Sequence, residues 1–74
     1  MNASEISPNN TYLIKEIMTS DIDVNLLEIG VMEGKIIRLA GKTLFAGTYA
    51  FEVGENIICM RPSEAKLIMV IPQN

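Results

Sequence analysis

The sequence predicts a mainly β fold, a small antiparallel barrel of about five short strands with one short α-helix after the first strand. Three observations support this fold class. Short segments of alternating or β-branched residues recur along the chain, with glycines between them. The chain has only 74 residues, so one compact domain is the most it can form. A sheet this small protects its edges best by closing on itself.

The N-terminal part of the chain contains a polar lead-in and the first strand. Residues 1–10 carry serine, asparagine and proline, and we expect them to form a flexible N-terminal arm. Residues 11–74 then make up the domain. Thr11–Met18 is rich in β-branched and aromatic residues and predicts the first strand, although its alternation of apolar and polar residues is not clean.

The helix is predicted for Ser20–Gly30, which carries the strongest helix signals in the chain. Ser20 is a candidate N-cap, and Gly30 suits the left-handed position that ends a helix. Asp21 and Asp23 place negative charge in the first turn, which the helix dipole favours, so we interpret them as helix-start residues rather than metal ligands. Apolar residues between these ends form one stripe at helical spacing, namely Ile22, Leu26 and Ile29.

The second half of the chain predicts four more strands separated by turns. Gly41–Gly47 is expected to be a hairpin loop, and Gly54–Asn56 a tight hairpin turn. Pro62–Lys66 begins with proline and is long enough for only one helical turn, of 3₁₀ type, before the last strand. The predicted strands are Lys35–Leu39, Thr48–Val53, Ile57–Arg61 and Leu67–Ile71.

The charge and hydropathy of the chain argue against two kinds of partner. The net charge is −3, from six basic and nine acidic residues, and no basic cluster is present, so nucleic-acid binding is not expected. The longest apolar run, Leu67–Ile71, is far shorter than the ~20 residues of a spanning helix. The N-terminus carries no signal-like apolar stretch, so we also expect no direct membrane insertion.

The chemistry available to the chain is sparse. Histidine is absent and Cys59 is the single cysteine, so we expect neither an enzyme nor a metal site, and no cofactor. We interpret Cys59 as a small structural hydrophobe of its strand. A small domain stabilised without disulfides fits a reducing compartment, which predicts a cytoplasmic location.

Two segments of the chain match a known family signature. Leu26–Ile37, LLEIGVMEGKII, resembles the L-L-x-L-G-(hydrophobic)-x-x-G-x-x-I pattern of the ferrous iron transport protein A (FeoA) family. Met60–Val70, MRPSEAKLIMV, is similar to that family's closing L-R-x-x-E-A-x-x-I-x-V pattern. The resemblance extends from about Tyr12 to Ile71, with a predicted hairpin between the two segments.

The resemblance implies a fold and a function. The fold would be an SH3-like barrel, to which Leu26 and Leu27 anchor the helix. The function would be that of a non-enzymatic accessory protein of bacterial ferrous iron uptake, acting on the cytoplasmic GTP-binding part of the FeoB-type membrane transporter. The same barrel occurs in metal-responsive repressors of the diphtheria-toxin-repressor type. A detached regulatory domain of such a repressor is therefore the alternative.

Candidate partner-binding residues are apolar side chains in positions where polar ones are expected. Ile36 stands on the polar-side phase of its strand, and Leu44 and Phe45 lie within the Gly41–Gly47 loop. The two loop residues either fold back onto the barrel or face a partner. Arg61 matches a family position and either braces a turn or contacts a partner. Our hypothesis is that these four residues contribute to a docking surface. Homo-oligomerisation also stays open, because sheet edges favour self-association.

Overall fold

The computed structural model describes residues 1–18, 30–42 and 47–73. Most of the predicted helix Ser20–Gly30, and the loop residues Leu44 and Phe45, lie outside the described residues. Five strands are present, β1 (Tyr12–Ile17), β2 (Ile36–Lys42), β3 (Tyr49–Val53), β4 (Asn56–Met60) and β5 (Ile68–Pro72). They form one antiparallel sheet in the order β4-β3-β2-β1-β5, which confirms the predicted mainly β class.

The core lies on one face of the curled sheet, as the alternation predicts. Ile37, Phe51 and Val53 are buried, whereas Ile36 and Arg38 are on the opposite, exposed face. The largest fully buried side chains come from all five strands and from the residue after Gly30, and they are Ile14, Val31, Ile37, Phe51, Val53, Met60 and Ile68. The strand periodicity of two therefore sorts the residues correctly along β2 and β3.

The imperfect alternation of β1 has a structural cause. Ile14 pairs with Val70 of β5, but Glu16 pairs with Met69, so Lys15 is an extra residue in β1. Such a β-bulge shifts the side-chain phase by one position. Tyr12 and Ile14 face the core before the bulge, and Ile17 packs against the core after it.

The second strand is longer than the sequence predicts. β2 continues to Lys42, which pairs with Tyr49, and thus includes part of the segment expected to be a hairpin loop. A second register shift lies between Leu39 and Gly41. Gly41 has a φ of +151°, a conformation that is essentially restricted to glycine. Here the glycine permits a bulge within a strand rather than the start of a loop.

The N-terminal segment differs from the flexible arm that its polar composition suggested. A 3₁₀ turn covers Ala3–Glu5, and Ala3 is buried in the core with Ile6. Asn2 caps this turn, because its Oδ1 accepts from the Ser4 N–H at 2.9 Å while Glu5 Oε1 accepts from the Asn2 N–H at 2.9 Å. The polar residues therefore order the segment through a capping box.

One helical turn, α1 (Pro62–Ala65), joins the two edge strands β4 and β5. It confirms the predicted helical turn before the last strand but is of α rather than 3₁₀ type, because the N–H groups of Ala65 and Lys66 donate to carbonyls four residues back. Ala65 is fully buried where α1 contacts the N-terminal 3₁₀ turn. A small residue is needed there because two short helical turns approach each other closely.

Candidate docking surface

Three apolar side chains lie side by side on the outer face of the sheet. Leu13 of β1 is directly opposite Ile36 of β2 on one side and Ile71 of β5 on the other. Directly opposite side chains on one face have Cβ atoms about 4.5–5.5 Å apart. Ile36 is 38% exposed and Ile71 is 41% exposed, with Leu13 half-buried between them. We name Leu13, Ile36 and Ile71 the outer apolar row.

The exposure of the outer apolar row follows from the strand geometry. Its three members alternate with the core residues Tyr12, Ile37 and Val70, so they must face outwards. On the far side of Ile36 lies Gly54, whose N–H donates to the Ile36 carbonyl at 3.0 Å. Gly54 has no side chain to cover Ile36. The row is therefore a contiguous apolar strip across three strands, and strips of this kind mark contact surfaces more often than scattered single residues do.

An ion pair borders the outer apolar row. Arg38 lies two positions after Ile36 on the same face, and its Nε donates to Glu52 Oε2 at 2.6 Å. Both side chains are substantially exposed, and an exposed pair of this type contributes about 0.2–1 kcal/mol to stability. An apolar centre with a charged rim is the usual arrangement of a protein interface.

A groove adjoins the outer apolar row at Ile36. It has a volume of about 450 Å³ and is lined by Gly30, Met32 and Lys35 on one side and by the turn of residues 53–56 on the other. Two residues that line the groove are next to Ile36: Lys35 precedes it in the chain, and the Gly54 N–H donates to its carbonyl. The groove therefore opens beside the row. A partner lying along the row could place a side chain in this groove.

The structure separates the candidate residues that the sequence singled out. Ile36 belongs to the outer apolar row, whereas Arg61 is exposed and follows β4 at its opposite end. Asn56 pairs with Val53 near Ile36, but Met60 pairs with Tyr49, about 13 Å further along at ~3.3 Å per residue. Leu44 and Phe45 lie outside the described residues. Arg61 and Ile36 are therefore not parts of one compact patch.

Sequence reasoning missed Leu13 and Ile71 as surface residues. Both lie in apolar segments in which each neighbour is also apolar, so their own strands give no phase signal. Their exposure depends on the register of β1 against β2 and β5, which is a non-local property. The one local hint is the clean phase of β2, which places Ile36 outside.

The described part of the chain contains little reactive chemistry. No group of three or more cysteine, aspartate or glutamate side chains lies close enough there to hold a metal ion. Cys59 is exposed on β4 and opposite Ala50, rather than packed in the core as a small hydrophobe. Within the same residues, no helix is long and apolar enough to cross a membrane.

The surroundings of Tyr12 lower the pKa of its phenol. The Ser7 N–H donates to Tyr12 Oη at 3.2 Å. This bond lowers the pKa of the phenol, and the Asn10 side chain lowers it further, against the opposing effect of burial. Because Tyr12 is buried and its oxygen meets the Ser7 backbone and the Asn10 side chain, it holds the N-terminal segment to the core and is not a site residue.

One family model and several solved structures match this chain. The family model described as "FeoA domain" matches residues 1–72. A comparison with curated proteins finds no match. The solution structure of iron(II) transport protein A from Clostridium thermocellum superposes with a TM-score of 0.84 at 25% identity, over 95% of this chain. This chain spans 44% of that chain's length.

Two further solved structures are similar to this chain. FeoA from Stenotrophomonas maltophilia, solved with zinc and described as an SH3 domain protein and a candidate ferrous iron transport activating factor, superposes with a TM-score of 0.80 at 25% identity. That match covers 96% of this chain and 89% of the other. ScaR with bound Zn²⁺ superposes with a TM-score of 0.78 at 25% identity, over 95% of this chain but only 35% of its own.

Proposed function

Because this chain belongs to the FeoA family, which is associated with ferrous iron transport, we propose that it is a non-enzymatic accessory protein of bacterial ferrous iron uptake. It acts in the cytoplasm, where it binds the cytoplasmic GTP-binding part of the FeoB-type transporter. Iron chelation by this chain is not needed for that role. A small curled sheet with an exposed apolar strip suits protein binding better than chemistry.

The observation that supports this proposal is the outer apolar row. Leu13, Ile36 and Ile71 lie in register on three neighbouring strands and are bordered by the Arg38–Glu52 pair. A complementary partner offers apolar side chains to the row and polar groups to the charged border. Burying one such side chain contributes about 1.5–3 kcal/mol, so a single polar substitution in the row should weaken the complex at least tenfold.

The proposal is tested by titrating the labelled chain with the isolated GTP-binding part of the FeoB-type transporter. We expect amide shifts to concentrate at Leu13, Ile36 and Ile71, and Ile36→Ser to weaken binding at least tenfold. The control is Ile57→Ser on β4, which removes an exposed isoleucine that lies two strands from Ile36, beyond the Arg38–Glu52 pair and outside the outer apolar row. Binding that is absent at tens of micromolar, or that is equally sensitive to both substitutions, contradicts the proposal.

A second candidate function is supported by the similarity to ScaR. The match covers 35% of ScaR, about the length of one domain. A detached regulatory domain of a metal-responsive repressor would match in this way. Such a domain needs a DNA-binding partner protein. Co-purification with a helix-turn-helix protein, in place of the transporter, would favour this second candidate.

A further inference from the structure

Strand β4 is an edge strand with unusual chemistry for an edge. Within the described residues, no strand pairs with its outer side. Asn56–Met60 contains no charged residue and no proline, which are the features that normally keep sheet edges from pairing with other chains. The other edge, β5, is partly covered, because the Val70 N–H donates to the Met1 carbonyl at 2.9 Å and Asn2 bridges to Met69.

The hairpin turn before β4 determines which backbone groups are open. Gly54 has a φ of +60° and Glu55 a negative φ, the pattern of a type II′ turn, with Val53 and Asn56 as its closing pair. Such a turn closes on a hydrogen-bonded pair, after which bonded and non-bonded pairs alternate along the hairpin. Ile57 and Cys59 therefore direct their N–H and C=O groups away from β3, towards the open side.

The outer-face side chains of β4 are complementary to themselves. Ile57 and Cys59 alternate with the buried Ile58 and Met60, while Glu55 of the hairpin turn precedes the strand and Arg61 follows it, and all four of Glu55, Ile57, Cys59 and Arg61 are exposed. In chain order these four exposed side chains are acidic, apolar, apolar and basic. The extended backbone continues through Arg61, whose φ is −80° and ψ is 156°. An antiparallel second copy presents the same series in reverse, so that acid meets base and apolar meets apolar.

From this complementarity we infer that two copies of this chain pair antiparallel through β4, with Ile58 opposite Ile58 of the second copy. In this register Glu55 lies opposite Arg61, and Ile57 opposite Cys59, on both sides of the two-fold axis. The open groups of Ile57 and Cys59 then also meet each other. Shifting the register by two residues places Glu55 opposite Cys59, or Arg61 opposite Ile57, and loses both ion pairs. Charge complementarity thus selects a single register.

The predicted dimer is weak and independent of transporter binding. Two five-residue strands bury less than the ~1,200 Å² of a stable interface, so we expect a dissociation constant between about 10 µM and 1 mM. Sedimentation velocity over that concentration range should show a reversible monomer–dimer equilibrium. A chain that stays monomeric up to about 1 mM overturns the inference, whatever its behaviour towards the transporter.

A charge exchange tests the register. Glu55→Arg and Arg61→Glu each replace two opposite-charge contacts by two like-charge contacts, so each should weaken the dimer at least about tenfold. The double variant Glu55→Arg/Arg61→Glu restores both contacts and should dimerise like the original chain. An equimolar mixture of the two single variants should form the heterodimer. A double variant no better than the single variants overturns the proposed register.

A cysteine at position 57 gives a second test that does not depend on charge. Hydrogen-bonded antiparallel pairs have Cα atoms about 5.5 Å apart, within the range that disulfides bridge. With oxidised glutathione as oxidant, Ile57→Cys should form a covalent dimer linked between Cys59 and the new thiol of the second copy. The control variant Ile36→Cys, on the outer apolar row, should form at least tenfold less covalent dimer. Equal cross-linking in the two variants contradicts the inference.

Discussion

Tyr12 is the residue at which the N-terminal segment and the core are joined. Its ring is buried among core residues, while its oxygen accepts the Ser7 N–H at the surface end of the side chain. A backbone donor aimed at the phenol oxygen stabilises the phenolate more than the phenol, which is why the pKa is lowered despite burial. The same hydrogen bond attaches the N-terminal segment, which the sequence predicted to be flexible, to the core.

This arrangement predicts how Tyr12 titrates. The chain has two tyrosines, so Tyr49→Phe leaves Tyr12 alone, and its tyrosinate absorbance should appear with a midpoint below 10.0. Because the folded pKa is below the unfolded one, ionisation adds stability as pH rises through the folded pKa, and the gain is complete above 10.0. The gain disappears as pH falls again.

The control is a comparison of Tyr49→Phe with Tyr49→Phe/Tyr12→Phe by urea unfolding at neutral and alkaline pH. The stability difference between the two variants should be larger at alkaline pH. A midpoint at or above 10.0, or a difference that shrinks at alkaline pH, would show that the Ser7 bond does not act on the phenolate.

At the scale of elements, the sequence predicts well whatever depends on neighbours in the chain. The alternation of β2 and β3 correctly places Ile37 and Phe51 inside, and Pro62 correctly marks the helical turn. The bulges at Lys15 and after Leu39 are not predictable in this way, since they are defined by pairing with distant strands. For the same reason the sequence identified Ile36 in the candidate site but not its partners Leu13 and Ile71.

The bulge in β1 gives a prediction at this scale. With the bulge in place Ile17 packs against the core and Glu16 is exposed, which is the reverse of an uninterrupted alternation from Ile14. Ile17→Ser should therefore destabilise the fold by at least about 1 kcal/mol in urea unfolding, because apolar burial is lost, whereas Glu16→Ser should change stability by less than about 0.5 kcal/mol. Equal effects of the two substitutions would show that the bulge does not set the phase of the strand.

At the scale of the whole molecule, two apolar surfaces lie on different parts of one curled sheet. The outer apolar row spans β5, β1 and β2, and the self-complementary edge belongs to β4 at the other end of the strand order. Glu52 of β3, joined by its ion pair to Arg38 of β2, lies between them. The geometry therefore allows a partner protein and a second copy to be bound at the same time.

Because the two surfaces are separate, a substitution in one should weaken only the binding that uses that surface. Ile36→Ser should weaken transporter binding at least tenfold and leave the self-association constant within about twofold, whereas Ile57→Ser should do the reverse. Both constants are measured for both variants, by titration with the transporter domain and by sedimentation. Loss of both activities in either variant would mean that the surfaces are not separate.

The short N-terminal segment also limits how large an assembly can become. Met1 and Asn2 lie alongside Met69 and Val70 and so cover part of β5, the edge of the sheet opposite β4. The inferred dimer uses β4 in both copies and leaves only the partly covered β5 edges, so growth beyond a pair into a filament is disfavoured. Two residues at the start of the chain thus favour a finite assembly over an open-ended polymer.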